Sequence, residues 1–184
     1  MTQTTTFRKI IIACVLTALC GIGGYGYWYY SKNYGITSYR PEDQQALTDI
    51  LKEDWYWLVS EDSVDFSPEY TFTHFAAVPS YPDNSLSIFV YREQGKPVAF
   101  ATYFREKGCR GRIQFVAVGQ QHRKRGYAQK LINHVLDDAT KRGMCAMELV
   151  TRTNNISAQR LYRKLGFRKT WEAEGFVGFE KSMM

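Results

Sequence analysis

Cysteine and histidine are scarce in this chain of 184 residues, and where they fall excludes most metal chemistry. Cys14, Cys20, Cys109 and Cys145 form no C-x-x-C pair, and His74, His122 and His134 lack zinc-ligand spacing, so no metal site is expected. Two of the cysteines lie in an apolar run and two are far apart in the remainder, which argues against a disulfide framework and for free thiols of a reducing compartment. Acidic residues are missing altogether before Glu42. There is no internal repeat and no low-complexity tract, which excludes solenoids and arrays. A large charge excess is lacking too. Setting aside Arg8, Lys9 and Lys32 leaves 21 basic against 18 acidic residues from Ile36 onward, too mild a balance to argue for nucleic acid alone. What is present is 45% hydrophobic and 15% aromatic residues, ample for one packed domain.

The longest uncharged stretch runs between Lys9 and Lys32. Ile10 to Ile22 is apolar apart from Thr17 and Gly21, and a Tyr/Trp cluster from Tyr25 to Tyr30 follows. Twenty-two residues at helical rise cover a hydrocarbon core of about 30 Å, and the aromatics suit an interfacial belt. The expectation is a polar start at 1–9, a transmembrane anchor at 10–31, a linker at 32–35 and a globular domain at 36–184. A cleaved signal peptide is the main rival, but no A-x-A site precedes the aromatic cluster. Basic residues flank both ends of the run, so charge does not set its orientation.

Within the domain, Ile36 to Arg40 predicts a strand, and Pro41-Glu42-Asp43 opens a helix carrying Ala46, Leu47, Ile50, Leu51 and Trp55 at helical spacing. A second short helix is expected around Glu69 to Phe75 in a proline-punctuated stretch. Leu86 to Tyr91 and Val98 to Phe104 are strand-like, joined by the hairpin signature Arg92 to Pro97, and Ile113 to Val118 is a third run. Ala128, Leu131, Ile132, Val135, Leu136 and Ala139 form one apolar helical stripe ending at Gly143. Then come a strand (Met144 to Val150), a helix (Ala158 to Leu165) and two strands near Arg168 to Trp171 and Phe176 to Lys181. The order is β-α-α-β-β-β-α-β-α-β-β, an α+β domain with a mixed sheet flanked by helices.

The chemistry concentrates where the third strand run feeds the long helix. Gly119-Gln120-Gln121-His122-Arg123-Lys124-Arg125-Gly126-Tyr127-Ala128 leaves first-turn N–H groups open at the positive end of the helix dipole, a cradle suited to a diphosphate. Gly126 allows close backbone approach, and Arg123, Lys124 and Arg125 add positive charge. The competing reading is a basic helix start on a solvated surface.

Arg123-x-x-Gly126-x-Ala128, preceded by Val116-Ala117-Val118, resembles the acetyl-CoA signature Q/R-x-x-G-x-G/A of the GNAT acetyltransferases. Asn155 to Phe167 is similar to that superfamily's N-x-x-A-x-x-L-Y-x-K-L-G-F segment, with Ala158 and Tyr162 at the matching positions. The resemblance spans roughly residues 36–184 and implies a GNAT-like mixed sheet and transfer of acetyl from acetyl-CoA to an amine. It further implies that the strand segment Val116-Ala117-Val118 offers backbone to the pantetheine arm and that Arg123 to Ala128, Tyr127 included, hold the pyrophosphate. Asn155 would contact the pantetheine or cap the second helix beside Ala158, and Tyr162 would donate a proton to the departing thiolate. A core tyrosine is the plain alternative for Tyr162, which lies on an apolar stripe. Acetyl-CoA being a cytosolic metabolite, the domain is expected to face the cytosol from its membrane anchor.

Amine attack also needs a proton acceptor. Histone-type members of the superfamily carry a Glu where this chain has Arg112; Glu148 on the adjacent strand is the candidate carboxylate, with water-mediated deprotonation preferred. His122 reads as a surface residue of the phosphate loop. Between Pro41 and Tyr91 ten acids meet a single base, Lys52, among Trp55, Tyr56, Trp57, Phe66, Tyr70, Phe72, Phe75 and Tyr81. Acids with aromatic walls suit a cationic amine of the polyamine, amino-sugar or lysine type, and suit a solvated acidic face equally. Two other functions remain open: an acyl-CoA-binding module without turnover, and a groove-reading DNA binder, against which the apolar stripe of the helix speaks.

Overall fold

The computed structural model describes residues 34–58, 72 and 86–183. Among the described residues seven strands form one sheet: β1 (Gly35–Ser38), β2 (Ser87–Glu93), β3 (Lys96–Lys107), β4 (Arg110–Val118), β5 (Ala146–Arg152), β6 (Arg168–Ala173) and β7 (Phe176–Ser182). Their spatial order is β1-β2-β3-β4-β5-β7-β6, with every pairing antiparallel except β4 with β5. The helices are α1 (Gln44–Glu53), α2 (Trp55–Leu58), α3 (Tyr127–Lys141) and α4 (Ile156–Lys164). Among the described residues the strands and the two long helices follow the expected order, while the second helix is α2 and not the one expected near Glu69 to Phe75. The hairpin between β2 and β3 closes at Gln94 and Gly95, both at positive φ, the two-residue turn whose twist fits flanking strands.

Two cores cover opposite faces of the sheet. The α3 stripe Leu131, Ile132, Val135, Leu136 and Ala139 packs with Ala99, Ala101, Tyr103 and Met147. On the other face Leu47, Ile50 and Leu51 of α1 pack on Val90, Phe100, Phe115 and Ala117. A buried ion pair fastens α1 to the sheet: Arg92 donates to both oxygens of Asp43 at 2.8 and 2.6 Å, and its Nε donates to Thr37 at 2.9 Å.

The sheet splits where a cleft begins. β4 and β5 pair only over Arg110 to Arg112 against Ala146 to Glu148; past that point no described strand lies between them. In the same stretch Gln114 is an extra residue in β4, since Tyr103 opposes Ile113 while Thr102 opposes Phe115. Such a bulge reverses the alternation of inward and outward side chains. Ile113 therefore joins the α3 core, Phe115 and Ala117 the α1 core, and Val116 and Val118 turn to the gap.

Two expectations are corrected here, and a third falls on residues outside those described. Cys109 and Cys145 form a disulfide, with Cα atoms 5.3 Å apart, rather than free thiols. Their separation of 36 positions hides a close neighbourhood: each immediately precedes a strand of the parallel pair, in register at Arg110 and Ala146, and Cys145 N–H donates to the Cys109 carbonyl at 2.7 Å. The second helix is Trp55–Leu58, where the chain pauses at Asp54 and coils again, whereas the stretch expected at 69–75 lies outside the described residues except Phe72. Single-pass membrane placement is not upheld, because no helix among the described residues is long and apolar enough to cross a membrane. The longest, α3, has 15 residues, about 22 Å at helical rise, and is amphipathic. Residues 10–31 themselves lie outside the described residues.

Candidate active site

A cleft of about 560 Å³ occupies the fork between β4 and β5, a size suited to an extended small-molecule ligand. Val116 and Val118 of β4 form one wall, Leu149, Val150 and Thr151 of β5 the other. The start of α3 closes one end, and Asn155, Ala158 and Tyr162 of α4 line the side. Asp54, Trp57 and Leu58 reach in from the junction of α1 and α2.

The phosphate-loop geometry follows from its backbone. Lys124 and Gly126 both have positive φ, at 62° and 80°, a loop form that gathers N–H groups into an anion-binding concavity. Gly126 is the N-cap of α3 and supplies no side-chain cap, and the first intrahelical bond runs from Lys130 N–H to its carbonyl, so the preceding N–H groups of the first turn have no helical acceptor. A Cβ built at Gly126 meets nothing within 4 Å, so the approach is open. These features fit a diphosphate held by main chain.

Two of the loop's three basic side chains are tied to acids instead of pointing at a ligand. Arg125 donates to Glu93 at 3.2 Å and to the Gln121 carbonyl. Arg123 donates to Asp54 at 2.6 Å and, through Nε, to the Val118 carbonyl at 3.0 Å. Lys124 lines the cleft. Glu93 is the hub of the outer cluster, accepting from the Tyr127 hydroxyl and lying 2.7 Å from His122 Nδ1. The hydrogen bond from Tyr127, assisted by His122 and Arg125, holds the Glu93 carboxyl below its usual range. Burial pushes the Tyr127 phenol up, and its bond to Glu93 adds to that. His122, read from sequence as a bare surface residue, is thus part of this cluster.

Tyr162 is 9% exposed, lies against Phe167 and Phe179, and opens into the cleft with no hydrogen bond to its hydroxyl among the described residues. Burial raises its pKa to about 12, so it is a protonated phenol throughout the physiological range. Asn155 caps α4 by accepting from Ala158 N–H at 3.2 Å. Three candidate residues do not line the cleft, the first being Arg125, which is turned to Glu93. Ala117 is buried in the α1 core. Glu148 sits where β4 and β5 still pair, and its carboxylate accepts from Arg110 Nε at 2.8 Å and lies 3.7 Å from Arg112. Its charge is taken by these arginines.

Asp54 and Glu93 were missed by motif reading, since each acts on the loop from 29 to 69 positions away. The one sequence signal was the acid-rich stretch from Pro41 onward, to which Asp54 belongs. Among the described residues Asp54 is the only carboxylate lining the cleft. Burial raises its pKa, while the charge and hydrogen bond of Arg123 pull it back.

A family model described as the acetyltransferase (GNAT) family matches residues 45–167, covering both the loop and the α4 motif. The chain belongs to the GNAT acetyltransferase family. Streptothricin acetyltransferase A of Bacillus subtilis (strain 168) is 29% identical over 99 residues, 47% of this chain and 56% of that protein. The [ribosomal protein bS18]-alanine N-acetyltransferase of Escherichia coli (strain K12) is 33% identical over 54 residues, 29% of this chain and 36% of that protein. The matches thus span about half or less of these curated relatives. Among solved structures, the ribosomal-protein-S18-alanine N-acetyltransferase from Escherichia coli superposes with a TM-score of 0.61 at 22% identity, over 80% of this chain and 92% of that one. The PaiA N-acetyltransferase from Thermoplasma acidophilum, in complex with coenzyme A, gives a TM-score of 0.66 at 15% identity, over 80% and 97% of the two chains. These likenesses establish the GNAT fold.

Proposed function

We propose that this GNAT chain transfers the acetyl group of acetyl-CoA to a primary amine by direct attack. The reading is carried by one arrangement: the uncapped N-terminus of α3, the unpaired edge of β4 and the Tyr162 phenol all open into one cleft. The α3 amides and Lys124 hold the pyrophosphate, and the β4 backbone at Val116 and Val118 aligns the pantetheine arm as a strand-like neighbour. The amine nitrogen, as free base, attacks the thioester carbonyl carbon. The C–N bond forms, the C–S bond breaks, and Tyr162 gives its proton to the sulfur as charge develops there. The nitrogen sheds the proton it no longer needs to solvent, Tyr162 regains one from solvent, and the products are an amide and coenzyme A. The acceptor is a cationic amine, a reading supported by Asp54 and Trp57 at the cleft; that the transfer is to nitrogen agrees with the N-acetyltransferase name of one relative. Binding without turnover is favoured by one observation, the capture of Glu148 by Arg110 and Arg112, which leaves β4 and β5 without a free base.

Calorimetric titration of the full-length chain with coenzyme A, with thiol release from acetyl-CoA over an amine panel, tests both readings. Expected are measurable affinity, release of thiol with at least one cationic amine, and CoA binding weakened by about tenfold or more in Gly126→Ala, whose Cβ strains the left-handed N-cap. Binding without thiol release favours the non-catalytic module. No affinity at all removes the assignment.

A further inference from the structure

We infer that Arg123 is a latch that covers Asp54 until coenzyme A binds, and that Asp54, once uncovered, is the carboxylate that receives the acceptor's ammonium group. The inference rests on the acetyl-CoA reading above and adds a residue that fixes both binding order and acceptor charge.

The geometry places one guanidinium across two sites at once. Arg123 spans the cleft from the phosphate loop, giving its Nε to the Val118 carbonyl at 3.0 Å and its NH2 to Asp54 at 2.6 Å. The Val118 carbonyl belongs to the β4 edge along which the pantetheine arm is proposed to lie. A ligand aligned on that edge competes for the same carbonyl, so this side chain gives way. A diphosphate at the start of α3 offers it a doubly anionic partner instead, and charge-assisted bonds of Arg to phosphate are at least as strong as those to carboxylate. The carboxylate left behind is 14% exposed while the arginine is 40% exposed, so the arginine is the freer to swing. The loop itself does not come loose, because Glu53 next door accepts from the Gln120 N–H at 2.9 Å.

Asp54 then stands as the one described carboxylate lining the cleft, which Trp57 also lines, and an aromatic wall favours a cation over a neutral amine. The charged groups that act on it are Arg123 and its neighbour Glu53, while Lys124 and the titratable His122 line the same cleft. Removing Arg123 leaves burial and Glu53 acting on the carboxyl, both of which raise its proton affinity. An uncovered Asp54 is therefore both an anchor for an ammonium group and a more basic carboxylate than the covered one.

A double-mutant cycle on coenzyme A affinity, using the full-length chain, tests the latch. Asp54→Asn frees Arg123 and is expected to tighten CoA binding about fivefold, roughly 1 kcal/mol, while the same change in Arg123→Gln has little effect. An equal gain in both backgrounds means only that a negative charge left the cleft, and no gain means no latch; either overturns the inference. The Asp54 side-chain carboxyl, followed by carbon NMR, is expected to titrate at higher pH with CoA bound, and to shift on addition of n-butylammonium only in the CoA-bound state. Identical titration with and without CoA, or a butylammonium response independent of CoA, overturns the role in amine binding. Failure of the unmodified chain to bind CoA is a separate outcome, visible before any variant is made, and removes the acetyl-CoA reading with it.

Discussion

Replacing Tyr162 by Phe removes one oxygen and little else. The ring stays against Phe167 and Phe179, with centroids 6.1 and 5.8 Å away, and no hydrogen bond among the described residues is lost. The fold should therefore persist with stability near wild type at neutral pH. Chemistry should suffer more. The phenol titrates at about 12, against roughly 8.5 for an ordinary alkyl thiol, so complete proton transfer to a finished thiolate runs uphill by several pKa units. The useful moment is earlier, while the C–S bond breaks and charge builds on sulfur, and loss of such a donor costs about 10²–10⁴-fold. Thiol release should show kcat lowered by roughly that factor, with CoA affinity by calorimetry within about twofold. The pH dependence supplies a second check. A folded pKa raised from 10.0 to about 12 means the neutral phenol's contribution is intact below pH 10 and is lost between pH 10 and 12 as the unfolded chain ionises first. Wild type should lose on the order of 3 kcal/mol across that window that the Phe variant keeps. A variant within a few-fold of wild-type kcat, with intact CoA binding, would show Tyr162 to be a core residue and nothing more.

Two further substitutions probe what holds the site in place. Asp43→Ala strands the buried Arg92 guanidinium and should lower unfolding stability by about 3–5 kcal/mol in urea melts, whereas the paired change Asp43→Leu with Arg92→Met should recover most of it. Cys145→Ser opens the 36-position loop closed with Cys109; chain entropy puts the cost near 4 kcal/mol, read as a lower melting temperature that added reductant reproduces in wild type and leaves unchanged in the variant.

Local patterns carried much of this fold. The α3 stripe is a run of six apolar positions at helical spacing, and all its members from Leu131 to Ala139 are buried on the sheet. The hairpin at Gln94 and Gly95 and the cap at Asn155 were legible because turn and cap chemistry act within a few residues. The disulfide was not, since it depends on the parallel register of β4 and β5, which no local pattern sets. The bulge at Gln114 was equally hidden, yet it decides that Val116 and Val118 face the cleft while Ala117 faces the core. Glu148 failed as a base for a related reason. Its place on β5 was read correctly as a strand position, but its partners Arg110 and Arg112 come from the neighbouring strand.

The charges of the phosphate loop carry the same lesson into function. Arg123-Lys124-Arg125 looks like a triple positive charge for phosphate, but in the folded chain Asp54 and Glu93 already answer two of the three. Side-chain attraction for coenzyme A is then the difference between an arginine on phosphate and the same arginine on carboxylate, a much smaller quantity than the gross count suggests. The share that does not cancel belongs to the α3 amides and Lys124. An N-terminus made anion-binding by its backbone needs no desolvated arginines to work, and on the proposed reading leaving them partly satisfied keeps the cleft from holding coenzyme A too tightly. On the proposed acetyl-CoA reading, carboxylates set against this loop serve release as well as order of binding, with Asp54 lining the cleft and Glu93 outside it.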